Sequence, residues 1–145
     1  MEEQRIKRYK EKIKYLKETT DNLESWTVDV NKTYFQNKLE LQKKYGIYHA
    51  FQISVEIISD ISAMIIKDLK DIPKDDYSNI DILRKKGIID FNLSENINEA
   101  TGLRNRIIHD YNGLDDKIAY SRLVELLKSF KQFCKVILKW LESNY

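Results

Sequence analysis

Only four glycines and one proline interrupt the 145 residues of this chain. A chain so poor in helix breakers, and without sustained alternation of apolar and polar residues, is steered toward long helices rather than sheets. The apolar spacing agrees. Ile6, Tyr9, Ile13, Leu16 and Leu23 recur at intervals that place them on one helical face, predicting a helix over residues 2–26. A break is expected at 27–31, then a short helix at 33–37. A second long helix is expected at 39–69, carrying Ile47, Phe51, Val55, Ile58 and Ile65 on its stripe, with Gly46 a place for a kink or close packing. Residues 70–76, with Pro73, read as a loop. A helix over 79–86 should stop at Gly87, a residue suited to the left-handed position that ends helices. Asn92 with Glu95 reads as a capping box for a helix at 93–109. Asn112-Gly113 reads as a turn because both residues tolerate positive φ. Asp115 or Asp116 would cap a last helix carrying Ile118, Leu123, Leu127, Phe130, Phe133, Ile137 and Leu141. The expected fold is all-α: one domain spanning 1–145, an antiparallel bundle of four main helices plus a short helix.

Composition narrows the function classes. Apolar residues make up 42% and charged residues 33%, too many apolar groups for a disordered chain. No uninterrupted apolar run of membrane-spanning length is present, and the first ten residues, MEEQRIKRYK, lack a signal-peptide core, so the expectation is a cytoplasmic protein with no membrane. Cys134 is the only cysteine, which excludes an internal disulfide and a cysteine-based zinc site. No metal and no cofactor are expected, since no carboxylate or histidine spacing matches a ligand set and no Gly-rich phosphate loop is present. The net charge of +2 is not the strongly basic balance of a general nucleic-acid binder. A local basic run exists at Arg5, Lys7, Arg8, Lys10, Lys12, Lys14 and Lys17, and its plainer reading is a solvated helix face.

One residue breaks the pattern. At about 100° per residue, with Arg104 set at zero, Ile97 falls near about +20°, Ala100 near about −40° and Ile108 near about +40°. Arg104 is thus centred on the apolar stripe, where a guanidinium is costly unless it is paired or lines a cleft. A buried ion pair with Glu56, or with an Asp of a neighbouring helix, would account for it without any function. His109 lies about 140° around from Arg104, so a regular helix cannot bring the two together. Either the helix ends or distorts near His109, or a twofold-related subunit completes the site. Arg104, Asn105, Arg106, His109, Asp110 and Tyr111 crowd within eight residues.

That segment, Arg104-(Asn105-Arg106-Ile107-Ile108)-His109-Asp110-Tyr111, resembles the Arg-x4-His-x-Tyr motif of HEPN proteins, and in particular the HepT-like toxins of HepT–MntA toxin–antitoxin pairs. The likeness extends to the helix order, to the 47–66 segment with Glu56, to Asp81-Ile82-Leu83…Gly87-Ile88-Ile89 and to the exit Tyr111-x-x-Leu114-Asp115. It spans roughly residues 5–141.

The resemblance implies a homodimer with the motif facing a shared cleft, acting as a metal-independent endoribonuclease on RNA. The 2′-hydroxyl of RNA is the nucleophile, so proton transfer and charge stabilisation suffice. Under that reading His109 moves the proton, as an imidazole can near neutral pH. Arg104 holds phosphoryl oxygens. Asn105 and Asp110 have supporting roles: Asn105 would orient the histidine or the phosphate, while for Asp110 the plainer role is a cap. Arg106, about 200° from Arg104, is an RNA-backbone contact or plain surface. Tyr111 is the hydroxyl that a cognate MntA-like nucleotidyltransferase antitoxin would modify with AMP, adding bulk and negative charge beside Arg104 and His109. His49 reads as surface or polar core. Two other readings stay open: a non-catalytic nucleotide-binding or helper subunit of a nucleotidyltransferase, and a structural helical adaptor.

Overall fold

The structure is a computed structural model and describes residues 2–145. Six α-helices and one 3-10 turn succeed one another: α1 (Glu3–Thr27), α2 (Lys32–Asn37), α3 (Leu41–Asp68), α4 (Asp76–Lys85), α5 (Phe91–His109), the 3-10 turn Tyr111–Gly113, and α6 (Asp116–Asn144). Among the described residues there is no strand. The expected four long helices are α1, α3, α5 and α6; α2 and α4 are the short ones.

The three-four stripes become the core. Tyr9, Ile13, Leu16 and Leu23 of α1 are buried, as are Phe51, Val55, Ile58, Ile61 and Ile65 of α3 and Phe130, Phe133, Ile137 and Leu141 of α6. Ile6 is only half-buried. Each fully buried side chain of this size contributes about 1.5–3 kcal/mol relative to exposure. Polar tie points set direction. The Tyr9 hydroxyl donates to Asp68 Oδ2 at 2.5 Å and Arg5 Nε donates to the same oxygen at 3.0 Å, joining the start of α1 to the end of α3. Further along, Ser54 Oγ donates to Thr19 Oγ1 at 3.0 Å, so α1 and α3 run antiparallel. The Tyr120 hydroxyl donates to the Val30 carbonyl at 2.5 Å, tying the start of α6 to the exit of α1.

α3 is long and apolar enough to meet the length and composition of a membrane span, despite its interrupting polar residues, but 61% of its most apolar window is buried inside the bundle. It is the central core helix.

Several boundaries differ from the sequence expectation. α5 begins at Phe91, and its cap is Asp90, whose carboxylate accepts from Leu93 N at 2.7 Å; Asn92 is exposed in the first turn. An aspartate two residues earlier reaches the free amides first, so the Asn92–Glu95 box does not form. α4 begins at Asp76, capped by Asp75 through Ser78 N at 2.9 Å. Gly46 neither ends α3 nor touches a neighbouring element closely. Gly87 does adopt the left-handed conformation (φ +75°) and closes α4 as expected. Of the two candidate caps for α6, Asp115 is the one used, accepting from Lys117 N at 3.0 Å and Ile118 N at 3.2 Å.

Candidate active site

α5 ends at His109. Asp110 leaves the helix (φ −140°, ψ 38°) while its N–H still donates to the Arg106 carbonyl. The chain then folds into the 3-10 turn, with Gly113 N donating to Asp110 O at 3.1 Å and Leu114 N to Tyr111 O at 3.3 Å. Gly113 does not adopt the positive φ expected of the turn. A Cβ at Gly113 would sit 2.9 Å from Asp110 Oδ1. The corner is therefore built by Asp110 folding over Gly113. It leaves His109, Asp110 and Tyr111 facing solvent, with Tyr111 66% exposed.

Arg104 is turned inward instead. Its side chain is only 12% exposed, and Nη2 donates to Asp76 Oδ2 at 2.8 Å. Nε donates to Asn105 Oδ1 at 2.9 Å. The partner is thus an Asp from the neighbouring helix α4; Glu56 is exposed and accepts instead from Gln52 Nε2 at 3.1 Å. Asn105 is bound to the arginine, not to the histidine. One edge of the guanidinium, at Nη1, makes no hydrogen bond among the described residues. No hydrogen bond or ion pair joins Arg104, His109 and Tyr111 within the chain. Arg106 is exposed. Of the N-terminal basic run, Arg5 pairs with Asp68, Lys7 with Glu11 and Lys12 with Asp60, as a structural helix face would.

Beside the corner, the first half of α3 and the end of α5 enclose a cleft of about 460 Å³. Tyr45, Tyr48, His49, Gln52, Ile107 and Tyr111 are among its lining residues. Asp116 holds its back wall together. It accepts from the Tyr48 hydroxyl at 2.5 Å and from Lys44 Nζ at 3.1 Å, and Lys44 also donates to the Gln36 carbonyl at 3.2 Å. α2, α3 and α6 meet at this point. Burial, and then the bond to the Asp116 carboxylate, push the Tyr48 hydroxyl far above its ordinary pKa, so it stays protonated and donating. His49 is exposed into the cleft, the surface alternative of the two expected for it. Sequence reasoning missed Asp76, Lys44, Tyr45, Tyr48 and Asp116. The signal for the α3 residues was present: Lys44, Tyr45, Tyr48 and His49 repeat at helical spacing next to the apolar stripe. Among the described residues no group of three or more His, Cys, Asp or Glu is arranged to hold a metal.

A family model described as "Ribonuclease HepT-like" matches residues 10–137. The chain belongs to the HepT-like ribonuclease family. A relative from Archaeoglobus fulgidus described as "Putative RNase" is 34% identical over 141 residues, covering 95% of this chain and 98% of the relative. A second, from Methanocaldococcus jannaschii and described in the same terms, is 36% identical over 74 residues, covering 50% of this chain and 83% of its own. Among solved structures, the tri-AMPylated Shewanella oneidensis HEPN toxin in complex with an MNT antitoxin superposes with a TM-score of 0.80 at 25% identity, covering 96% of this chain and 99% of the toxin. A toxin–antitoxin complex with AMP-PNP superposes equally well (TM-score 0.80) at 24% identity, covering 90% of this chain and 97% of its counterpart; at that identity the likeness is one of fold. The six-helix architecture is thus that of HepT-like HEPN proteins, and the Arg104-to-Tyr111 segment lies inside the matched region.

Proposed function

We propose that this chain is the toxin of a toxin–antitoxin pair, a metal-independent endoribonuclease whose site is completed in a homodimer and which a nucleotidyltransferase antitoxin silences by adenylylating Tyr111. The observation that carries the reading is the corner at the end of α5. It presents an unpartnered imidazole and an unpartnered phenol to solvent within three residues, on the fold of a toxin that is AMPylated and bound to an MNT antitoxin.

The chemistry needs no added group. A base removes the proton of a ribose 2′-hydroxyl, the oxygen attacks the adjacent phosphorus, and the P–O5′ bond breaks as the leaving oxygen takes up a proton. A cyclic phosphate and a 5′-hydroxyl remain. His109 serves the proton transfers, and a dimer supplies two such histidines. Arg104 offers Nη1 to a phosphoryl oxygen while Asp76 and Asn105 hold the guanidinium plane. Asp110 acts through the corner by packing over Gly113. Adenylylation transfers AMP from ATP to the Tyr111 oxygen and releases pyrophosphate. It places a phosphate where substrate phosphate must come, and repels it. Such a protein works in the cytoplasm, where RNA and ATP both are.

The test is RNA cleavage by purified protein in the presence of EDTA. Wild type should cleave, and His109→Ala should lose at least about a hundredfold in rate, the lower end of acid–base contributions. Equal cleavage by both sinks the assignment. With the antitoxin, ATP and magnesium, wild type should gain the mass of adenylyl groups and Tyr111→Phe should not.

One observation favours a second reading. Arg104 already has a carboxylate partner and is nearly buried, which suits a structural helical adaptor in which the arginine only forms an ion pair. Unchanged function in Arg104→Met, with stability kept or raised, would select it.

A further inference from the structure

We propose that the cleft between the first half of α3 and the corner after α5 is a nucleobase subsite, with Tyr45 as its stacking platform and Gln52 and His49 as the groups that read the base edge. The inference rests on the ribonuclease reading for its substrate, but not for its binding test.

The polar groups of the back wall are already used. Both carboxylate oxygens of Asp116 are taken, by Tyr48 and by Lys44, and the Lys44 charge is neutralised there. The back wall is therefore polar in composition but closed to a ligand, and it carries no free positive charge to draw in a phosphate. The groups left open are of another kind. The Tyr45 side chain is exposed (58% for the residue), and Tyr111 more so. Their hydroxyls make no hydrogen bond among the described residues, and neither does the His49 imidazole. Gln52 spends one amide N–H on Glu56, which leaves its other N–H as a donor and its carbonyl oxygen as an acceptor. Ile107 and Leu114 add apolar lining. Two exposed aromatic rings, an apolar lining, a primary amide with a donor and an acceptor free, and one imidazole make a slot for a flat heteroaromatic ring. The volume, about 460 Å³, lies within the roughly 300–1,000 Å³ of small-ligand clefts. Phosphate has other ground nearby: Arg106 and His109 are exposed and do not line this cleft. A nucleotide would therefore be divided, its base against α3 and its phosphate toward the end of α5.

A base can reach the slot from two sources, an RNA nucleotide or the adenine of an adenylyl group attached to Tyr111. Binding is read first, by amide chemical shifts of labelled protein titrated with adenosine 5′-monophosphate, uridine 5′-monophosphate and inorganic phosphate. Both nucleotides should shift amides of residues 45–52, and phosphate alone should not. Tyr45→Ala should weaken nucleotide binding by at least about fivefold, while Tyr45→Phe keeps it, as expected for loss of one stacking partner. Tyr45 is exposed, so an unchanged thermal melt serves as the folding control. Shifts that coincide for nucleotides and phosphate, or wild-type affinity in Tyr45→Ala, overturn the subsite. This outcome is independent of whether RNA is cut. Once binding is seen, the source follows. A change in cleavage-site preference on mixed-sequence RNA in Tyr45→Ala and Gln52→Ala assigns the slot to substrate. An unchanged preference, with adenine protons close to the Tyr45 ring in adenylylated protein, assigns it to the modifying group. Neither result would overturn its use in this site.

Discussion

At the residue scale, Arg104 is both a structural and a chemical group. The guanidinium is nearly buried, and its counter-charge Asp76 is 35% exposed at the first turn of α4. The asymmetry predicts unequal mutants. Asp76→Ala leaves a desolvated cation without its partner and should lower stability by about 1–3 kcal/mol. Arg104→Met should cost less, since the remaining carboxylate can turn to water and the methionine stem refills the space. Urea denaturation of the two variants decides it; a larger loss in Arg104→Met would mean that packing rather than charge governs the position. The same pair explains how a residue proposed for phosphate contact can sit on an apolar stripe: two of its donors are satisfied internally, and one edge is left for a ligand.

At the element scale, the caps of α5 and its pairing with α6 set where the corner falls. Asp90→Ala should cost about 1 kcal/mol, the usual value of an N-cap, whereas Asn92→Ala should stay within about 0.5 kcal/mol. Equal losses in thermal or urea unfolding would contradict the assigned cap. Arg122 joins α6 to α5 through both Glu99 oxygens, at 2.5 and 2.7 Å. Its hydrogen bonds hold the Glu99 carboxyl below the ordinary glutamate range. A depressed carboxylate stabilises the fold above its unfolded pKa and loses that stabilisation as pH falls through the folded value. The acid limb of the stability curve should therefore be shallower in Glu99→Gln. Both side chains are about 40% exposed, so the effect is small, and it should shrink further in high salt.

At the scale of the whole molecule, one chain does not bring Arg104 and His109 together. Arg104 turns inward toward α4, while His109 projects outward from the last turn of α5. In the homodimer proposed above, a site that uses both would draw on two chains. Mixing inactive Arg104→Ala and His109→Ala proteins, with subunit exchange allowed, should restore RNA cleavage to a substantial fraction of wild type, because some mixed dimers carry one intact cleft. If each chain instead acts alone, the mixture stays as inactive as its parts. Sedimentation of the same samples checks that mixed dimers form.

Breaker scarcity and three-four spacing were enough to write the four long helices, the bundle and its stripes, because helical periodicity is a local property of the chain. The family motif was equally legible, as was the end of a helix at His109, since an Arg, a His and a Tyr at fixed offsets are read without coordinates. Which aspartate pairs with Arg104 was not, nor was the nearness of Tyr45 and His49 to Tyr111. These depend on the relative placement of α3, α4 and α5, set by packing between residues dozens of positions apart. The cap of α5 was misread for a different reason: Asn92 with Glu95 fits a local capping pattern, but the helix starts earlier, at Phe91, with Asp90 meeting the Leu93 amide. The sequence by itself thus determined the elements and the chemical identity of the motif. Tertiary structure alone decided that the arginine faces inward, that the histidine and tyrosine face solvent, and that an aromatic cleft lies beside them, because each of these is a relation between helices rather than a property of one.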